Sequence, residues 1–244
     1  MAYARSSELL FKVLIVGEGG TGKTCLIRRY VHSIFLATNK ATIGVDFALK
    51  DIVHAASKRN LTLQLWDIAG QERYGQMTRV YYQAAAGALV VADITRPETL
   101  DLAVKWKQDL DSKVFLGASG KPIPCILLIN KLDLLPNGVL AAAAAGDSNG
   151  HCVSASEGGI QKTKEEMDAF CREHGFEAWF VTSAKENKNV DAAFQKLVDC
   201  VLDATDALGS GGEPGADAAA GNGASGKLSH SNRARRAEKS GCAC

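Results

Sequence analysis

FKVLIVGEGGTGKTCLIRRYV, Phe11–Val31, passes from a short apolar, β-branched run through a glycine-rich turn into a segment of helical spacing. Its centre, Gly17–Thr24, reads GEGGTGKT and fits the pattern G-x-x-x-x-G-K-[ST]. Phosphates need several backbone N–H donors converging on one anion, and glycines let the chain curl tightly enough to supply them. Lys23 would reach the β- and γ-phosphates, and the Thr24 hydroxyl would ligate magnesium. The helix that follows aims its positive end at the same charge. Gly17, Gly19, Gly20, Thr21, Gly22 and Cys25 complete the candidate cradle. A plain glycine turn with a solvated lysine is the alternative, and the strand–turn–helix setting weighs against it.

Downstream, LTLQLWDIAGQERYG (Leu61–Gly75) carries an apolar strand straight into an aspartate, a glycine and a glutamine. Alone, DIAGQ reads as an Asx-type turn. Beside a phosphate cradle it acquires chemistry. Asp67 would hold a magnesium-bound water. Gly70 would offer its N–H to a γ-phosphate and rotate when that group leaves. Gln71 would orient the attacking water, because phosphoryl transfer needs positioning and charge stabilisation more than covalent chemistry. Gln71, Lys23 and Gly70 are therefore the candidate catalytic groups.

Two more stretches select the base. NKLD (Asn130–Asp133) and SAK (Ser183–Lys185) each end an apolar run. A carboxylate that accepts two N–H bonds from one edge of a base selects guanine, and Asp133 fits that role. Asn130 would tie its loop to the cradle, and Lys131 would lay its stem along the base. The Ala184 N–H would meet a carbonyl oxygen. Rejecting adenine leaves buried polar groups unpaired, so discrimination can be large.

These motifs sit on an alternating pattern. Strands are predicted at Phe11–Val16, Val45–Val53, Leu61–Trp66, Gly87–Ile94, Pro122–Lys131 and Ala178–Ser183. Helices are predicted at Lys23–Val31, Glu98–Lys113, Gln161–His174 and Val190–Leu208, with Gly175 closing the third. The class is α/β: a mostly parallel six-stranded sheet with helices on both faces. Ligands of such sheets lie beyond the carboxyl ends of the strands, where each motif falls. Pro136–Gly159, rich in Gly, Ala and Ser, reads as a low-complexity insertion. From Gly209 the chain turns Gly/Ala-rich and then basic, and a disordered tail is expected.

Composition sets outer bounds. With 244 residues, 46% hydrophobic content and net charge +1, the chain suits one soluble domain and not a nucleic-acid binder acting by bulk attraction. No apolar run approaches the roughly 20 residues of a membrane-spanning helix. Lys12 interrupts the first apolar run, which reads as a strand and not a signal peptide. Ala2 rules out N-myristoylation. Seven scattered cysteines without a CxxC pair fit free thiols in a reducing compartment.

Taken together, Leu10–Leu208 resembles a small GTPase of the Rab family, with the Ras-like P-loop NTPase fold. ATIGVDF (Ala41–Phe47) is similar to the Rab effector region and WDIAGQERY (Trp66–Tyr74) to Rab switch II. IGVDFALK, DIAGQER, MTRVYY, KWKQDLDSKV and REHGFEAWFVTSAK resemble the Rab thirty-two/thirty-eight subgroup, in which Ile68 replaces the usual threonine. The resemblance implies that Thr42 joins Thr24 and Asp67 at Mg2+ in the GTP state and that Phe35 closes over the base. It makes Phe47, Trp66 and Tyr81 the triad that reads nucleotide state to effectors, beside Ile43 and Gly44. Gly19 stands where many Rabs carry a larger residue and leaves room for Gln71.

The chain ends GCAC, which is not a CaaX box. It resembles the double-cysteine ending that receives geranylgeranyl groups, here on Cys242 and Cys244. Two chains anchor stably where one is reversible. Arg233, Arg235, Arg236 and Lys239 would add about 1 kcal/mol each at an anionic surface. The implied activity is slow, activator-stimulated hydrolysis of GTP to GDP by a switch that regulates vesicle and organelle traffic. Implied partners are an exchange factor, a GTPase-activating protein, a GDP-dissociation inhibitor or escort protein, effectors and the membrane, with no nucleic acid. The implied location is the cytoplasmic face of vesicles or endosomal and lysosome-related organelles, cycling with the cytosol. A non-cycling GTP-bound scaffold conflicts with intact Gln71 and Gly19. A P-loop kinase or ATPase conflicts with NKLD.

Overall fold

Six strands form one sheet, in the spatial order Val45–Val53, Asn60–Ile68, Leu9–Gly17, Gly87–Asp93, Cys125–Asn130, Ala178–Val181. The computed structural model describes residues 9–37, 40–71, 78–117, 120–135, 153–154 and 159–209. β1 (Leu9–Gly17) runs parallel to β3 (Asn60–Ile68) on one side and to β4 (Gly87–Asp93) on the other. β5 (Cys125–Asn130) and β8 (Ala178–Val181) extend the parallel set, while β2 (Val45–Val53) pairs antiparallel with β3 as the edge. The chain leaves β1 towards β3 and returns to β4 on β1's other side. Their carboxyl ends therefore meet where the winding reverses, the point at which open α/β sheets take ligands.

Burial on both faces explains the unbroken apolar runs. Within β1, Val13 and Ile15 face one layer and Leu14 and Val16 the other. The first layer holds Leu26 and Ile27 of α1 (Lys23–His32) and Val190, Phe194 and Val198 of α5 (Val190–Gly209). The second holds Tyr82 of the short α2 (Thr78–Tyr82), Leu100 and Trp106 of α3 (Glu98–Lys113), and Met167 and Cys171 of α4 (Lys164–His174). Trp106 is fully buried, which makes it a principal anchor of that layer.

The expected sheet and its six strands stand, as does α3 to the residue. The structure moves several boundaries. The helix expected from Gln161 starts at Lys164, because Thr163 closes a capping box with Glu166. Gln161–Lys162 (β7) instead pairs antiparallel with Val153–Ser154 (β6), so two residues of the expected low-complexity insertion are ordered in a ladder. The strand expected from Pro122 starts at Cys125; Pro122 makes an isolated bridge with Phe115. The last strand stops at Val181, and Ser183 bridges Lys188. α2 was not expected.

The described residues lie in a unit running Met1–Gly211. Residues 1–8 of the expected extension 1–9, residues 136–152 and 155–158 of the expected insertion 136–159, and residues 210–244 of the expected tail 209–244, with Cys242 and Cys244, fall outside the described residues, while Leu9 opens β1 and Gly209 closes α5. No helix among the described residues is long and apolar enough to cross a membrane.

Candidate active site

Gly17 ends β1 at φ 142°, and a Cβ there would stand 2.2 Å from the Val91 carbonyl oxygen, so the turn out of β1 accepts no side chain. Gly22, at φ 97°, caps α1 without a side-chain hydrogen bond, and no acidic residue occupies the first turn. Neither a side-chain cap nor a carboxylate there competes with an external anion for the positive end of the helix. Lys23, buried, donates from Nζ to the carbonyls of Gly17 (2.8 Å) and Glu18 (3.0 Å). Burial pulls its amine down to about 8, against the opposing pull of Asp67 and Glu18. Gly19, Gly20, Gly22, Lys23, Thr24 and Cys25 line a cleft of about 750 Å³. Gly17 and Thr21 do not line it; Thr21 is fully buried, with its hydroxyl donating to the Glu18 carbonyl at 2.9 Å.

Beside the cradle three oxygens converge. Thr24 Oγ1 donates to Asp67 Oδ2 at 2.5 Å, and Thr42 Oγ1 lies 3.0 Å from Thr24 Oγ1 and 3.2 Å from Asp67 Oδ2. Asp67 Oδ1 is buried with no hydrogen-bond partner among the described residues. Burial pushes the Asp67 carboxyl up, although Thr24, Lys23 and Thr42 all favour its charged form. Two hydroxyls and a carboxylate with an orphaned oxygen form a hard-oxygen set, which suits Mg2+ completed by phosphate and water. Gly70 follows against the cradle, where a Cβ would stand 2.3 Å from the Gly19 nitrogen. Gln71 is exposed and lines the cleft.

At the far end of the cleft, buried Asn130 bridges three segments. Its Nδ2 donates to the Thr21 carbonyl (2.9 Å), and its Oδ1 accepts from Thr182 Oγ1 (3.2 Å) and the Ala184 N–H (3.3 Å). Ser183 Oγ donates to Asp133 Oδ1 at 2.6 Å and so orients the carboxylate from behind; Ser183 does not itself line the cleft. Lys185 Nζ stands 3.8 Å from Asp133 Oδ2. Lys131 adopts a left-handed φ of 72° and pairs its Nζ with Asp93 at 2.8 Å. Phe35, Thr42, Ile43, Gly44, Gly70, Asn130, Lys131, Asp133, Ala184 and Lys185 complete the predicted residues on the wall.

The expected partner-facing residues divide. Ile43 is 94% exposed and Phe47 63%, whereas Trp66 and Tyr81 are half-buried against the second core layer. Phe47 and Trp66 face each other across the β2–β3 register with ring centres 6.3 Å apart. Three functional neighbours were missed. Arg29 of α1 donates to the carbonyls of Ala184 (2.7 Å) and Lys185 (3.0 Å). Arg96 donates to the Gly19 carbonyl (2.9 Å), and Asp93 holds Arg96 and Lys131 together. A carboxylate ending the otherwise apolar GALVVAD was the signal available for Asp93.

A cleft so built, at the reversal point of a parallel sheet with one antiparallel edge, defines a nucleotide-binding switch of the P-loop class. The Ras family profile matches residues 12–203. Rab-32A of Dictyostelium discoideum is 48% identical over 196 residues, 80% of either chain. Rab-32 of Homo sapiens is 49% identical over 195 residues, 80% of this chain and 76% of that one. Human Rab-7L1 is 41% identical over 197 residues, 81% and 85% of the two chains. The chain belongs to the Ras family, as a Rab-type member close to the Rab-32 proteins. It is a GTPase: a switch that binds GTP and hydrolyses it to GDP and phosphate, of the type that serves intracellular membrane traffic.

Proposed function

We propose that the 750 Å³ cleft takes the nucleotide with its phosphates at Gly17–Cys25 and its guanine between Asp133, Lys131, Ala184 and Lys185. The observation that carries this reading is Asn130, which joins the carbonyl of Thr21 in the cradle to the N–H of Ala184 at the base end. The two ends of the cleft are thereby tied together by one buried amide. Asp133 accepts the two N–H groups of guanine, with Ser183 fixing its orientation. Phe35 covers the base from the open side.

For the reaction, Thr24, Thr42 and Asp67 would hold Mg2+, which would supply charge neutralisation at the phosphate oxygens. Lys23 leaves the loop carbonyls for those oxygens, a move its three rotatable donors allow. Gly70 offers its N–H to the terminal phosphate, and Gln71 orients the water for in-line attack. Loss of the terminal phosphate removes the partner of Gly70 and Thr42, so the two loops relax. Effectors read the ordered form at Ile43, Gly44, Phe47, Trp66 and Tyr81. An exchange factor, a GTPase-activating protein and a GDP-dissociation inhibitor or escort protein complete the cycle. Geranylgeranyl groups on Cys242 and Cys244, with the basic cluster before them, hold the protein at vesicles or lysosome-related organelles.

Competition between GDP and ADP for the magnesium-loaded protein tests the assignment. GDP is expected to win by several orders of magnitude, and Asp133→Asn to lose most of that preference. Equal affinity for the two, or an unaltered preference in the variant, overturns it.

A further inference from the structure

Asp93 is the last residue of β4, paired in register with Asn130 and 1% exposed. Each of its oxygens is used twice. Oδ1 accepts from the Thr95 N–H (3.0 Å) and Thr95 Oγ1 (2.7 Å). Oδ2 accepts from Arg96 Nε (3.1 Å) and Lys131 Nζ (2.8 Å). Neither cation stops there. Arg96 reaches on to the Gly19 carbonyl at 2.9 Å, and Lys131 lines the cleft beside Asp133.

We infer that Asp93 is a positioning residue: through Arg96 it sets the phosphate loop at Gly19, and through Lys131 it sets the base-reading loop, so one carboxylate fixes the distance between the two halves of the nucleotide site. The inference rests on the reading of the cleft given above.

Charge makes the case. A guanidinium and an ammonium share one carboxylate oxygen, and without that carboxylate two like charges face each other behind the cleft wall. Relief comes by moving Gly19, Lys131 or both, and these are the groups the ligand requires in place. A buried ion triad adds little net stability, because desolvation offsets the attraction. What it adds here is geometry, since donors displaced by a fraction of an ångström lose their alignment. Burial alone would raise the Asp93 carboxyl, but Lys131 and Thr95 outweigh it and hold it below the ordinary value. The link is separate from the Asn130 bridge, which uses neither cation.

Asp93→Asn preserves size and the Thr95 acceptor while removing the charge. GDP dissociation from this variant is expected to quicken about tenfold, the loss of one charge-assisted bond. The ratio of GDP to inosine diphosphate affinity is expected to fall about threefold or more, because inosine lacks the 2-amino group that Asp133 reads. A purely structural role would lower the melting temperature without moving that ratio. Arg96→Gln, at the half-exposed end, separates the arms: it is expected to quicken GDP dissociation about threefold and leave the ratio unchanged. Should Asp93→Asn fail to fold, Arg96→Gln decides the phosphate half of the inference by itself. Parental dissociation in Arg96→Gln, or an unmoved ratio in a folded Asp93→Asn protein, overturns the inference. Asp133→Asn runs alongside: if it leaves the guanine preference intact, the reading of the cleft fails and this inference with it. If it abolishes the preference while the Asp93 and Arg96 variants match the parent, only the inference fails.

Discussion

Thr24 and Asp67, 43 residues apart, are joined by a 2.5 Å bond from Oγ1 to Oδ2 at the edge of the cleft. With Thr42 they bring one hydroxyl from the start of α1 and one from the loop before β2 onto the end of β3. Thr24→Asn replaces a hydroxyl by a bulkier amide whose NH2 repels a cation. Its magnesium-dependent GTP affinity is expected to drop about tenfold or more, and GDP or the empty form to prevail. Titration of GTP in magnesium and in chelator measures this. Parental GTP affinity in the variant would count against the cradle assignment.

Gln71 lies on the cleft wall but is exposed, so its side chain adds nothing to the core. Gln71→Leu is therefore expected to fold normally and bind GDP and GTP with parental affinity. Single-turnover hydrolysis should slow about tenfold or more, since a water no longer oriented must find the in-line geometry by chance. Unchanged turnover, intrinsic and activator-stimulated, would remove the glutamine from its assigned role.

The cradle glycines differ sharply in what they tolerate. An alanine Cβ at Gly17 would meet the Val91 carbonyl at 2.2 Å on a backbone of φ 142°. At Gly19 it would meet nothing within 4 Å, on an ordinary backbone. Gly17→Ala is expected to cost about 3 kcal/mol or more, through backbone clash and strain together. Gly19→Ala should remain within about 0.5 kcal/mol of the parent. Any effect of Gly19→Ala then appears in hydrolysis, where the added methyl competes with Gln71 for space. Urea denaturation of both variants, paired with turnover, checks the contrast.

Much of this architecture was legible because local and tertiary demands agree. GEGGTGKT leaves few conformations open, and two-sided burial marks β4 and β5 as interior strands. The helix start at Lys164 was missed because Gln161 and Lys162 fit either structure by spacing. The capping pair Thr163 and Glu166 was present in the sequence and would have placed the boundary. Gly17, Thr21 and Ser183 belong to the predicted motifs, yet they act from behind the wall. Motif spacing reports membership of a loop and not which way each side chain turns. Arg29, Arg96 and Asp93 escaped because their links to Lys185, Gly19 and Lys131 span up to 156 residues of sequence and fit no local pattern.

The hairpin joining β2 to β3 shows the same non-local character at the opposite end of the sheet. His54 Nε2 lies 2.8 Å from Asp199 Oδ1 on α5, and His54 Nδ1 accepts from the Ser57 N–H at 3.2 Å. That backbone donor selects the tautomer with the proton on Nε2, so the imidazole donates to Asp199. Burial raises the Asp199 carboxyl, but hydrogen bonds from His54 and Gln195 outweigh it and hold it below the ordinary value. A carboxyl with a lowered folded pKa contributes stability above its unfolded pKa and loses it as pH falls through the folded one. The Asp199 side chain is 41% exposed, so solvent screening keeps the contribution under about 1 kcal/mol. Asp199→Asn is expected to be less stable than the parent at neutral pH by that amount. The gap should narrow below about pH 4, the ordinary aspartate range, and close once the parental carboxyl is protonated. Because β2 runs from the cleft at Val45 to the hairpin after Val53, GDP dissociation should stay parental throughout. Urea midpoints from neutral to acidic pH, measured on both proteins, decide the point; a gap that persists undiminished in acid would show that the carboxylate charge contributes nothing there.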